Sequence, residues 1–167
     1  LMKIEKDLNA INKNEFTAIF GSVFEKSEWI ATETFRHKPF KNYQDLIDKM
    51  IKIYESCSID QIINILNLHP KLAIEKKLTS FSSKEQTGSK LDECSKAELV
   101  EFDKLNFDYE KKFNFPFIIA VKGKNKKEIL ENFRIRINND YEKEFQEAKK
   151  QVTKIALLRL NEILEIN

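Results

Sequence analysis

The chain has 167 residues, with 29 Lys and Arg against 27 Asp and Glu and a formal net charge of +2. That length suits one domain with a core of its own, and the charge balance lacks the basic excess that nucleic-acid binding needs. Cys57 and Cys94 have no CxxC spacing and no clustered histidines nearby, which excludes a zinc or disulfide framework, and no apolar run is long enough to cross a membrane.

With only three glycines and three prolines there are few obligate breaks, and the pattern favours helices. Asn14 precedes Phe16, Ile19, Phe20 and Val23 at helical spacing. Ser27 precedes Trp29, Ile30 and Phe35, and Asn42 precedes Leu46, Ile47, Met50, Ile51 and Tyr54. Ser58 and Gln61 form a capping box before Ile62, Ile63, Ile65 and Leu66. That helix is expected over roughly residues 59–68, because Pro70 disfavours helical geometry at His69. Ser82-x-x-Glu85 and Ser83-x-x-Gln86 each read as the start of another helix. Ser95 and Glu98 open a further helix through Leu99, Phe102, Leu105 and Tyr109. Asn125 opens one through Ile129, Leu130 and Phe133. From about Asp140 the stripe Phe145, Ala148, Val152, Ile155, Ala156, Ile163 predicts the longest helix.

The run from Phe115 to Val121 is the exception. It is apolar and partly β-branched, and Pro116 pushes Phe115 out of helical geometry. A lone strand has nothing to pair with, so the expectation is a buried, extended segment whose backbone groups need other partners, a polar ligand among them. The fold class expected is therefore all-α: a single-domain bundle over residues 1–167 with one extended crossing near 115–121. The N-terminus lacks a signal-peptide core and the final Glu165-Ile166-Asn167 is no peroxisomal address, so a cytoplasmic location is the default expectation.

Three groups carry chemistry. His69 sits at a helix C-terminus, where the carbonyls favour a cationic imidazole by up to ~2 kcal/mol; it reads either as a proton donor or as a plain C-terminal cap. Ser82, Ser83, Lys84, Glu85 and Gln86 lie at a helix start, whose free N–H groups and polar side chains suit an amide-rich ligand or simply cap the helix. Glu85 is placed to accept a hydrogen bond from His69 and sustain its charge. Arg136 reads as a solvated cation or as a bidentate partner for a carboxylate. His37, in the basic turn Arg36-His37-Lys38-Pro39, reads as structural or exposed, and the Lys-rich run 122–127 as a solvated loop.

In this order the pieces resemble the OHCU decarboxylase family, whose members convert 2-oxo-4-hydroxy-4-carboxy-5-ureidoimidazoline (OHCU) to (S)-allantoin in urate breakdown. The resemblance rests on Phe20 to Trp29, Arg36 to Phe40, His69-Pro70-Lys71-Leu72-Ala73, and Ser82-x-x-Glu85-Gln86. It continues in Asn106-x-x-Tyr109, Lys112 to Gly123, Arg136-Ile137-Asn138-Asn139, Glu144, and Lys154-Ile155-Ala156-x-x-Arg159-Leu160. It implies an all-helical, commonly dimeric, cofactor-free and metal-free carboxy-lyase acting on a small molecule. His69 becomes the proton donor, with Glu85 beside it as the second catalytic group. Pro70, Ser82, Ser83, Lys84, Gln86, Phe117, Ile118, Ile119, Ala120, Val121 and Arg136 become the substrate contacts.

Two departures stand out. Thr87-Gly88-Ser89-Lys90-Leu91 replaces the family's small Ala/Gly-rich stretch, and the interval between His69 and Ser82 is short. They motivate one alternative, an enzyme of the same fold with a different ureido or imidazoline substrate. A non-catalytic helical interaction module is the other.

Overall fold

The structure is a computed structural model, and it describes residues 8–73 and 78–166. Eight α-helices and one 3-10 turn occupy the described residues: α1 (Lys13–Phe20), α2 (Glu28–Phe35), α3 (Tyr43–Glu55), α4 (Ile59–Leu68), α5 (Ser80–Gly88), the 3-10 turn Leu91–Glu93, α6 (Lys96–Phe113), α7 (Lys126–Arg136) and α8 (Tyr141–Ile163). There is no strand among them, so the fold class is all-α as expected.

Local chemistry sets most boundaries. Asn42 caps α3 by accepting from Asp45 N–H at 2.9 Å. Ser58 and Gln61 exchange reciprocal bonds of 3.0 and 3.2 Å at the start of α4. Ser95 with Glu98 and Asn125 with Glu128 close complete capping boxes on α6 and α7. These bonds satisfy N–H groups that the start of a helix leaves orphaned. Glu98 carries the electrostatic signature of its box: the Ser95 backbone N–H, then Lys126, hold its carboxyl below the usual carboxylate range.

Two starts differ from the sequence reading. The cap of α1 is Asn12, boxed with Glu15, and not Asn14, which lies inside the helix. The cap of α5 is Thr79, whose side chain accepts from Ser82 N–H at 3.4 Å. Ser82 and Ser83 are therefore interior helical residues, and neither caps. The physical reason is that Thr79, Ser80, Ser82 and Ser83 are all competent caps in one short run, and capping at Thr79 leaves Ser82 and Gln86 inside the helix on its buried stripe.

The contacts gather into two compact units, one of residues 8–65 with 153–166 and the other of the described residues in Leu66–Val152. In the first, Phe16 packs against Phe20, Phe35 and Phe40 at centroid distances of 4.7, 5.6 and 5.8 Å. Ile30, Leu46, Met50 and Tyr54 complete its buried centre. Arg159 of α8 pairs with Glu25 at 3.0 Å, both side chains being buried, and donates to the Ser22 and Val23 carbonyls. This organises the turn between α1 and α2.

Gly21 ends α1 with its N–H 2.7 Å from Thr17 O, and a Cβ there would clash with that oxygen. Gly21→Ala is expected to cost about 1–3 kcal/mol, as overpacking does, and to lower the Tm by several degrees in a thermal melt. Gly88, where a Cβ meets nothing within 4 Å, is the control. Gly88→Ala is expected to leave the Tm unchanged or raise it.

The second unit has its own aromatic centre. Tyr109 lies 4.6 Å from Phe113, 5.4 Å from Phe117 and 5.7 Å from Phe133, and Phe117 stacks on Phe133 at 3.9 Å. This cluster takes up the segment 115–121, which is neither helix nor strand and is buried throughout. The expected apolar crossing is thus present, held by packing from α6 and α7.

Candidate active site

All the candidate site residues belong to the second unit. The first component is the turn that follows α4. His69 donates its backbone N–H to Leu66 O at 3.2 Å, ends the helix, and lies buried at 8% exposure with Pro70 half-buried behind it. The chain then turns sharply enough that Ala73 has φ +53, a left-handed conformation a non-glycine residue adopts only when its surroundings hold it there.

Two side chains do the holding. Gln86 of α5 accepts from Ala73 N–H at 3.1 Å and donates to Lys71 O at 3.2 Å. Asn106 of α6 donates to Leu72 O at 3.0 Å. Lys71 adds a half-exposed ion pair to Glu110 at 2.6 Å. The main chain just after His69 is fixed at three successive residues, and this immobilises the segment that carries the imidazole.

The second component is α5. Ser82, Gln86 and Ser89 are buried and lie at helical spacing on one stripe, Glu85 is half-buried, and Ser83 and Lys84 are exposed. Ser89 Oγ donates to Val121 O at 2.8 Å. One polar stripe therefore reaches both the histidine turn, through Gln86, and the extended segment, through Ser89.

The third component is the segment itself. Arg136 Nη1 donates to Ile118 O at 2.7 Å, Gln151 Oε1 accepts from Ala120 N–H at 3.0 Å, and Lys124 Nζ donates to Ala120 O at 3.0 Å. Among the described residues no hydrogen bond engages the N–H or C=O of Ile119 or the N–H of Val121. Both residues are buried, and among the described residues these two donors and one acceptor have no protein partner.

Arg136 is at the centre of a buried network. Its Nε donates to Glu144 Oε1 at 2.8 Å, and Nη2 lies 2.6 Å from the same oxygen without hydrogen-bond alignment. Tyr109 Oη donates to Glu144 Oε1 at 2.6 Å and Asn139 Nδ2 to Oε2 at 2.9 Å. Burial, then the Glu144 carboxylate, pushes the Tyr109 phenol above its ordinary range, so it stays a donor. The sequence suggested a carboxylate for Arg136; the one it holds is Glu144. Its guanidinium also lies 4.3 Å from the ring of Phe117, so its link to the candidate site runs through Phe117 and the Ile118 carbonyl.

Sequence reasoning did not pick out Ser89, Lys124 or Gln151. Gln151 had a signal, an amide in the middle of the apolar stripe Ala148, Val152, Ile155. Lys124 and Lys126 are also more than solvated loop residues, since Lys126 bonds Glu98 and the Glu93 carbonyl. His37 is exposed, as expected. No group of three or more His, Cys, Asp or Glu among the described residues is arranged to hold a metal ion. No helix among them is long and apolar enough to cross a membrane.

This architecture has relatives. Residues 9–161 match the OHCU decarboxylase family. The chain is 35% identical over 158 residues to the 2-oxo-4-hydroxy-4-carboxy-5-ureidoimidazoline decarboxylase of Halalkalicoccus jeotgali, covering 95% of this chain and 90% of that protein. It is 38% identical over 158 residues to the uric acid degradation bifunctional protein of Bacillus sp. (strain TB-90), covering 95% of this chain and 32% of that one. The chain thus spans about a third of the length of that bifunctional relative. Among solved structures, (S)-allantoin synthase superposes with a TM-score of 0.77 at 28% identity, covering 95% of this chain and 53% of that one. OHCU decarboxylase in the presence of (S)-allantoin shares the fold, with a TM-score of 0.70 at 22% identity over 92% of this chain and 99% of that one. With a match that runs through every component of the candidate site, the chain belongs to the OHCU decarboxylase family.

Proposed function

We propose that this chain decarboxylates OHCU to (S)-allantoin, with His69 as proton donor and with no cofactor. The observation that carries the reading is the polar stripe of α5 and its C-cap Ser89, which is bonded on one side to the turn after His69 and on the other to the segment whose Ile119 and Val121 N–H groups have no partner among the described residues. A proton donor and a set of fixed donors and acceptors are what this reaction asks of a protein.

The chemistry follows from the substrate. Breaking the bond between ring carbon C4 and its carboxylate releases carbon dioxide. The electron pair left on C4 forms a double bond to C5, and the C5–N π electrons move onto nitrogen, so the electron sink is the substrate's own ring. The C4 hydroxyl then becomes a carbonyl by giving up its proton, which neutralises the ring nitrogen, while C5 takes a separate proton. That proton creates the one stereocentre of allantoin, and delivery from a single face gives a single enantiomer. In this reading His69 delivers it, and the half-buried Glu85 of α5 sustains its cationic form. Ser82, Ser83, Lys84 and Gln86 of α5 with Pro70 border the ligand. The backbone of Phe117, Ile118, Ile119, Ala120 and Val121 supplies bonds to its carbonyl and N–H groups. Arg136 serves by holding that backbone. Fixed donors of this kind are effective where oxyanion character develops, because they need no reorganisation during reaction.

The reading extends to one functional domain, since the family match at 9–161 spans both units, and to a cytoplasmic homodimer. Val100 and Phe107, exposed two turns apart on α6, offer an apolar face for a second copy.

Steady-state turnover of freshly generated OHCU, followed by circular dichroism, tests the function. The expected result is (S)-allantoin formed well above the spontaneous rate. Binding of (S)-allantoin without acceleration would favour a different ureido substrate. Neither binding nor acceleration would leave a non-catalytic helical module.

A further inference from the structure

We propose that Gln151 is a positioning residue for this decarboxylation: it touches no substrate atom, but it fixes the peptide plane whose carbonyl and flanking N–H groups face the ligand. The inference rests on the function proposed above.

Three consecutive peptide units run from Ile118 to Val121. A trans peptide is planar, with its C=O and N–H pointing in opposite directions, so gripping one end aims the other. Arg136 grips the Ile118 carbonyl and so aims the Ile119 N–H. Gln151 grips the Ala120 N–H and so aims the Ile119 carbonyl. Lys124 grips the Ala120 carbonyl and so aims the Val121 N–H. In each unit the gripped end has a side-chain partner, and the aimed end has none among the described residues.

Gln151 holds the middle unit and is the acceptor of the set. It is 7% exposed and lies inside the 23-residue helix α8. Its amide cannot flip without loss, because Nε2 donates to Glu147 Oε1 at 2.8 Å while Oε1 faces Ala120 N–H. The carboxylate of Glu147 polarises the amide and strengthens its hold on the backbone. An apolar side chain at this position would leave the Ala120 N–H buried and unpaired and release the plane.

The test compares wild type with Gln151→Met and Gln151→Glu, measuring kcat and KM for OHCU from pH 5 to 8, the Tm, and hydrogen exchange of the peptide covering 117–121. Gln151→Met removes the acceptor at similar length. Its kcat is expected to fall by about 10-fold or more, the order expected for a small displacement of a reacting group, with faster exchange in that peptide. Gln151→Glu keeps an oxygen for the Ala120 N–H, and when protonated it also donates to Glu147 as the amide does. Its kcat relative to wild type is therefore expected to rise as the pH falls, a trend that a bulk packing defect does not produce. If Gln151→Met folds poorly, the pH trend of Gln151→Glu decides. Wild-type kcat and KM in Gln151→Met, or Gln151→Glu as impaired as Gln151→Met at every pH, would overturn the proposal while leaving the function standing. A wild-type protein that fails to accelerate OHCU decay would remove both.

Discussion

His69→Asn is expected to fold as the wild type does and to lose about 10²–10⁴-fold in kcat, the range a positioned general acid contributes. The substitution is nearly isosteric with half of the ring, and the backbone at this turn is held by other groups. The His69 N–H bonds Leu66 O, Gln86 holds Lys71 and Ala73, and Asn106 holds Leu72. None of these bonds uses the imidazole, so the turn survives its loss. What disappears is a group able to carry a proton near neutral pH. The residual product also carries information. Without a protein proton donor, water protonates C5 from either side, and the allantoin formed should lose enantiomeric purity. A His69→Asn protein with full turnover and pure (S)-product would take His69 out of the chemistry.

The second large effect falls on stability. Arg136→Met is expected to cost about 3–5 kcal/mol in denaturant unfolding, because removing one partner of a buried pair strands the other charge. Glu144 is fully buried, and its remaining donors, Tyr109 and Asn139, are neutral. The same change frees the Ile118 carbonyl, so activity per folded molecule should fall as well. Arg136→Lys should rescue little. One ammonium cannot span Glu144 Oε1 and Ile118 O with the fixed fork a guanidinium provides. Removing both charges, as Arg136→Met with Glu144→Leu, should recover part of the stability but not the hold on Ile118. A loss under 1 kcal/mol for Arg136→Met would show that the pair contributes nothing net.

The helices were legible wherever the signal was local. Asn42, Ser58 with Gln61, Ser95 with Glu98, and Asn125 each precede an apolar series within one turn, and each marks the start observed. The start of α5 was ambiguous because four cap-competent residues lie within five positions, and the choice among them depends on which face must turn inward. The segment 115–121 announced itself through Pro116 and an apolar run with no helical period. Its partners did not. Arg136 reaches Ile118 across 18 residues, Gln151 reaches Ala120 across 31, and Ser89 reaches Val121 across 32. Bonds over such separations leave no spacing to read, and a lone Arg or Gln on a helix is usually a solvated side chain. Here burial, which only the folded chain reveals, separates Arg136 and Gln151 from the many exposed Lys and Glu around them.

For the proposed decarboxylation, the backbone at Ile119 and Val121 must face the ligand in the same site as His69. Backbone amide spectra of the ¹⁵N-labelled protein titrated with (S)-allantoin test it most directly. Saturable shifts of the Ile119 and Val121 amides together with the His69 ring resonances are expected, with weaker binding in Gln151→Met. Shifts that leave those signals unmoved and gather elsewhere, such as around Glu98 and Arg134 on the outer faces of α6 and α7, would contradict it.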